Sequence, residues 1–319
     1  MPDMSDSVRT PLTALLTATL LIGAVLMAAC ADDVVAPIQG VGGNEPVLLE
    51  QVTYPLDAVS SEGTLPQGLA GEVVFQELDA SRMLVTVAID DTVDTPLIHP
   101  VHIHENDADT GGPIAFFLGA LDNNARGAAR SVHVIEKSLD SLLTFDGHVN
   151  IHESNATRDT LLAQGDIGVN DNASPTLFQL NRVAEPRHAA YPLQAVPNSS
   201  TQAPEGFGGT VRFEELTPSQ TLVQVQVDGG SPATGGAHPV HLREGAAGEH
   251  ADDSAPEVVI VYLGAIDGAP ESPGTSWAVV NRSYDELLDA DAHVRIHLNN
   301  EALGTSVSAG DIGANAVPM

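Results

Sequence analysis

His99-Pro100-Val101-His102-Ile103-His104-Glu105 returns later in the chain as His238-Pro239-Val240-His241-Leu242-Arg243-Glu244. The segments around it return in the same order. Tyr54-Pro55-Leu56 is matched by Tyr191-Pro192-Leu193, and Leu118-Gly119-Ala120-Leu121-Asp122 by Leu263-Gly264-Ala265-Ile266-Asp267. His148 to His152 is matched by His293 to His297, and Gly165-Asp166-Ile167-Gly168 by Gly310-Asp311-Ile312-Gly313. The offset between copies grows from 137 at the tyrosines to 139 at the His-Pro-Val-His segments and 145 from Leu118 onward. Insertions therefore fall between matched segments, where loops belong. The chain reads as two copies of one module, at 51–170 and 188–319, with a linker at 171–187.

Within each copy the matched segments are short, rich in β-branched residues, and separated by Gly, Pro, Asp and Asn. This is the spacing of an all-β sandwich or barrel. Strands are expected at Val73 to Phe75, Met83 to Ile89, Val101 to His104, Ile114 to Leu118 and His148 to His152, and at their counterparts in copy two. The exceptions are Ser138-Leu139-Asp140-Ser141-Leu142-Leu143 and Ser283-Tyr284-Asp285-Glu286-Leu287-Leu288. A serine cap, acids in the first turn and paired leucines predict a short helix in each copy. The expected architecture is two tandem Greek-key or immunoglobulin-like β-sandwiches.

Residues 1–29 read as a targeting segment: Leu12 to Met27 is an apolar run of signal-peptide length, ending in Met27-Ala28-Ala29-Cys30. That ending resembles a bacterial lipobox, which implies cleavage before Cys30 and a lipid on its thiol. Cys30 is the chain's single cysteine, so no intrachain disulfide exists. Residues 30–50 read as a tether. The expected location is extracytoplasmic and lipid-anchored, with Ala31 after the cysteine pointing to the outer rather than the inner membrane.

Removing residues 1–29 takes away Asp3, Asp6 and Arg9 and leaves 41 acids against 11 bases. Such a surface repels nucleic acid and anionic headgroups, so nucleic-acid binding is excluded and partners should be cationic, neutral, or metal ions. Acid excess with Lys137 as the only lysine suits a high-salt environment, in which screening relieves self-repulsion. The melting temperature is accordingly expected to climb from dilute buffer to molar NaCl or KCl; a melting curve indifferent to salt would count against halophilic adaptation.

The chemistry lies with the histidines. Strand residues two apart share a face, so His102 and His104 point one way and Val101 and Ile103 the other; His148, Asn150 and His152 likewise share a face. If the two strands are neighbours, four imidazoles converge in a constellation that suits Cu or Zn. Glu105, Asp107 and Asp109 either add carboxylates or form a solvated loop. In copy two His241, His293 and His297 persist, but Arg243 replaces the counterpart of His104 and puts a fixed cation in the histidine face. The alternative to a metal is a structural hydrogen-bond network joining His102 with His152 and His241 with His297. His99, His133, His188, His238 and His250 read as loop or surface residues.

The order His102-Ile103-His104, Leu118-Gly119, Leu139 to Leu143, Gly147-His148-Val149-Asn150-Ile151-His152 and Gly165-Asp166-Ile167-Gly168 resembles the CHRD (chordin-type) domain. The likeness covers nearly the whole chain after the tether, more faintly in copy two. It implies β-sandwich modules without enzymatic activity that bind an extracytoplasmic protein or other ligand. A weaker likeness is to Cu/Zn superoxide dismutase, through Val101-His102-Ile103-His104 with His148 or His152. Only nine residues separate His104 from Ile114, none a histidine, which leaves no zinc loop, and dismutase activity is not expected. Two functions are thus in play: a non-enzymatic, lipid-anchored binding or structural protein, and a Cu- or Zn-binding protein using His102, His104, His148 and His152, with redox activity as an extension.

Overall fold

The computed structural model describes residues 46–59, 69–90, 98–122, 129–197, 206–230, 236–248 and 258–319. The leader, Cys30, the tether up to residue 45 and His250 lie outside the described residues. The first copy contains β1 (Val47–Ala58), β2 (Gly71–Asp79), β3 (Arg82–Ile89), β4 (Ile98–Glu105), β5 (Ile114–Asp122), β6 (Arg130–Ile135), α1 (Leu139–Leu143), β7 (Asp146–His152), β8 (Leu161–Gly168) and β9 (Thr176–Leu180). The second contains β10 (His188–Ala195), β11 (Gly209–Thr217), β12 (Gln220–Val227), β13 (Ala237–Glu244), β14 (Val259–Asp267), β15 (Thr275–Val280), α2 (Tyr284–Leu288), β16 (Asp291–His297) and β17 (Ser306–Gly313).

All pairings are antiparallel, and those of the first copy define two four-stranded sheets. One runs β1-β2-β3-β6 and the other β5-β4-β7-β8. They join at their edges, β1 to β8 through Asp57↔Gln164 and β5 to β6 through Asp122↔Arg130. Connections skip from β3 to β6 and from β4 to β7, which is Greek-key order. The second copy repeats the plan with β10-β11-β12-β15 and β14-β13-β16-β17. The fold is all-β. Closing the sandwich at its edges removes free strand edges that would otherwise invite pairing with other chains.

Alternation explains the core. Val101, Ile103, Val149 and Ile151 are buried between the sheets with Tyr54 and Phe75. Val240, Leu242, Val294 and Ile296 do the same with Tyr191 and Phe213. Full burial of each such side chain stabilises by about 1.5–3 kcal/mol. The helices form where the serines cap them: Ser138 accepts from the Ser141 amide, and Ser283 forms a capping box with Glu286.

Several features differ from the sequence expectation: β1, β8, β10 and β17 were not among the expected strands, and residues 47–50, expected as tether, begin β1. The stretch 171–187, expected as a linker, carries β9, which pairs with the first half of β1. Strands β6 and β15 were not expected, because Arg130–Ile135 and Thr275–Val280 are short and flanked by polar residues. His99 and His238, expected at loops or the surface, are buried in β4 and β13, with Nδ1 of each donating to a backbone carbonyl, of Glu153 and of His297 respectively.

The copies pack through equivalent residues. Ala120 of β5 pairs with its counterpart Ala265 of β14, and Val132 of β6 with its counterpart Trp277 of β15. Self-pairing of this kind is the signature of a local two-fold axis, here within one chain. Leu84, Val134, Leu222 and Val279 form a separate apolar cluster at this contact, and Arg82 donates to both carboxylate oxygens of Glu214 at 2.8 Å. Gly119 and Gly264 have φ +76° and +82°. They sit where the β4–β5 and β13–β14 registers slip by one residue, and such bulges favour glycine in the left-handed region. That accounts for the repeated Leu-Gly-Ala beside the contact.

Candidate metal centre

Strands β4 and β7 are neighbours, with His102 opposite Asn150 and His104 opposite His148. Their histidine faces point away from the core, yet His102 is fully buried and His152 nearly so. His102, His104 and His152 each bring one nitrogen to within 4.8 Å of the others. Drawing each ring inward by under about 1 Å reaches the usual metal–nitrogen distance of about 2.0–2.1 Å.

Hydrogen bonding fixes which nitrogen faces the centre. His104 Nδ1 lies 2.9 Å from the Gly112 carbonyl, and His152 Nδ1 lies 2.6 Å from the Arg158 carbonyl. A carbonyl only accepts, so both Nδ1 atoms carry the proton and both Nε2 atoms present a lone pair. His102 is turned the other way. Its Nε2 lies 3.2 Å from the Asp267 carboxylate, which leaves Nδ1 as the lone pair. His102 Nδ1, His104 Nε2 and His152 Nε2 are all sealed from solvent and have no hydrogen-bond partner. Burial pushes the His152 imidazole down to about 4, aided by the neighbouring His102, and burial also depresses His104. These two rings are therefore neutral at pH 7, as metal ligation requires.

His148, expected as a fourth member, does not join the three. It stacks on His104 at 5.2 Å between ring centroids, donates from Nδ1 to the Asn106 carbonyl, and accepts at Nε2 from Asn150 at 3.3 Å. Asp107 turns back to accept from Thr110 and closes its own loop. The acidic run after His104 thus builds a turn, as its solvated reading implies.

The second copy resolves the same arrangement differently. His241 and His297 lie 4.6 Å apart at an interplanar angle of 45°, against 4.9 Å and 47° for His102 and His152. Arg243 places its guanidinium between them, 3.4 Å from His241 Nδ1 and 3.2 Å from His297 Nε2. These two nitrogens correspond to His102 Nδ1 and His152 Nε2. His293 donates from Nδ1 to the Gly245 carbonyl, as His148 does to Asn106. One copy thus has a permanent cation at the point where the other has three converging lone pairs.

Fold and side chains together define a class: paired Greek-key sandwiches with a tri-histidine cluster in one of them. No family model matches the chain, and no curated protein or solved structure matches it.

Proposed function

We propose that the chain is a metal-binding protein that holds one Cu or Zn ion between His102 Nδ1, His104 Nε2 and His152 Nε2 in its first module. The observation that carries this reading is the three unpartnered, solvent-sealed lone pairs within 4.8 Å. A buried polar atom without a partner costs about 1–3 kcal/mol. Three aimed at one point are explained most simply by a ligand that accepts lone pairs. Imidazole nitrogen without thiolate or carboxylate suits Zn and Cu over Mg or Ca. The surrounding anionic surface favours approach of a cation.

In the second module Arg243 supplies donors to His241 Nδ1 and His297 Nε2, the two nitrogens a metal would need. We therefore assign that module a structural and binding role without metal. In the same reading, residues 1–29 direct the chain out of the cytoplasm and a lipid on Cys30 tethers the modules to the membrane. Several acyl chains would hold such a tether stably, whereas one alone binds marginally. The function is binding rather than catalysis.

Titration of the metal-free protein with Zn(II) or Cu(II) is expected to give one equivalent per chain. The paired substitutions His102→Ala and His152→Ala should abolish uptake. A wild-type protein that takes up neither metal would overturn the assignment and leave the histidines structural.

A further inference from the structure

Asp267 ends β14 in the second module, yet its carboxylate lies against His102 of the first module's histidine cluster. The side chain is fully buried; one oxygen faces His102 Nε2 at 3.2 Å, and the other accepts from Asn155 Nδ2 at 2.6 Å and from the Ala269 amide at 2.9 Å. Asn155 belongs to the first module, so the carboxylate is gripped from both sides of the module contact. Among the described residues it meets no arginine or lysine.

A neutral imidazole carries one N–H, and its position decides whether a cluster is ready for metal. With the proton on Nδ1, His102 would donate into the cluster toward His104 Nε2 or His152 Nε2, and the trio would satisfy itself without an ion. A carboxylate at Nε2 forbids this, because it accepts only and draws the proton outward. We propose that Asp267 is a positioning residue contributed by the second module, which locks His102 in the tautomer that presents Nδ1 to a metal bound in the first. This rests on the metal reading above and adds that the site is a joint product of the repeat pair. The carboxylate beside His102 also offsets the charge of a divalent ion in a site that has no carboxylate among its ligands.

The second module provides the internal control. Asp122, the counterpart of Asp267, is buried at the end of β5 and accepts from Asn300 Nδ2, the counterpart of Asn155, at 3.1 Å. Each module thus sends one aspartate across the contact. Asp267 arrives at the cluster of His102, His104 and His152, whereas Asp122 arrives in the module where Arg243 already lies between His241 Nδ1 and His297 Nε2.

The test is Zn(II) titration of the full chain and of Asp267→Ala, Asp267→Asn and Asp122→Ala, with Cu(II) electron paramagnetic resonance of each. Asp267→Ala is expected to weaken binding by about 10–100-fold, the usual effect of removing such an outer partner. Its Cu(II) spectrum should lose the coupling of one ligating nitrogen. Asp267→Asn, whose amide oxygen is held by Asn155 Nδ2 and the Ala269 amide so that its NH2 faces His102 Nε2, should put the proton on Nδ1 and lose the same coupling with the module contact kept. Asp122→Ala should bind as the wild type does. Unchanged affinity and spectrum in Asp267→Ala would overturn the inference and leave the metal site standing. Equal losses in Asp267→Ala and Asp122→Ala would also overturn it, since they would report a loosened module contact. Wild-type protein that takes up no metal would sink the metal reading and this inference with it.

Discussion

Exchanging one residue between the modules is expected to move the metal: His104→Arg should abolish uptake, and Arg243→His should raise the stoichiometry from one ion per chain to two. The expectation follows from the near-identity of the two sites. His102 and His152 are disposed as His241 and His297 are, and the Arg243 guanidinium approaches the same two nitrogens that His102 and His152 leave without partners. A guanidinium is always charged and carries only donors, so it fills the role of the cation permanently. In His104→Arg the new side chain should donate to His102 Nδ1 and His152 Nε2. Two buried hydrogen bonds at about 1 kcal/mol each then keep the metal-free protein at least as stable as the wild type. Loss of metal in this variant cannot be ascribed to unfolding, which makes it a sharper probe than alanine. If His104→Arg still binds one equivalent, or if Arg243→His binds no more than one, the correspondence of the two sites is not what decides metal binding.

Acid is expected to destabilise the protein steeply between pH 6.5 and 4. Several histidines outside the tri-histidine cluster are held neutral. Burial alone pushes His133, set at the module contact against Trp277, down to about 4. Burial likewise depresses His99, His238 and His293, and pushes His297 down strongly, there reinforced by His241 and the nearby arginines. In the unfolded chain these rings return to about 6.5. As the pH falls below that value the unfolded state takes up protons that the folded state refuses, so stability is intact above about 6.5 and is lost on the way down to 4. A single histidine depressed to about 4 contributes on the order of 3 kcal/mol across that window. A few together match the whole stability of an ordinary domain, about 5–15 kcal/mol. Protonating carboxylates works the other way by relieving self-repulsion, and molar salt removes that contribution by shortening the Debye length to about 3 Å. Urea melts at pH 7.5 and 5 in 1 M NaCl should therefore show a large fall in midpoint on acidification. An unchanged midpoint would mean that these rings are not held neutral by burial.

How much of this was legible in the sequence follows from where each signal resides. The all-β class was legible because period-two alternation and repeat offsets are local properties of the chain. The capped turns at Ser138 and Ser283 were legible for the same reason, and so was the cation of Arg243 within the histidine face. The parity of His102 and His104 also showed that they share a face. Parity could not show that this face is buried, because its cover is made by distant residues, Asp267 of the other module among them. Nor could it show that His148 turns to Asn106 and Asn150 while His152 turns inward, since that depends on the bulge between Ile151 and His152 and on the carbonyl of Arg158. Asp267 was visible only as the end of a repeated Leu-Gly-Ala motif. It lies 165 residues from His102, and nothing local marks it as a partner. The repeat itself held the one available hint: Asp122 and Asp267 are matched acids beside residues that pair across the contact. His99 and His238 were misplaced because the expected strands began only after the proline that follows each, whereas both stand in the buried part of a strand.

One module is expected to hold an ion where the other holds a guanidinium. Crystals of the protein grown with Zn(II) and measured at the zinc absorption edge test it most directly. One anomalous peak per chain is expected, about 2.0–2.1 Å from His102 Nδ1, His104 Nε2 and His152 Nε2, with none between His241 and His297. A peak at surface carboxylates alone, or no peak beside His102, would contradict it.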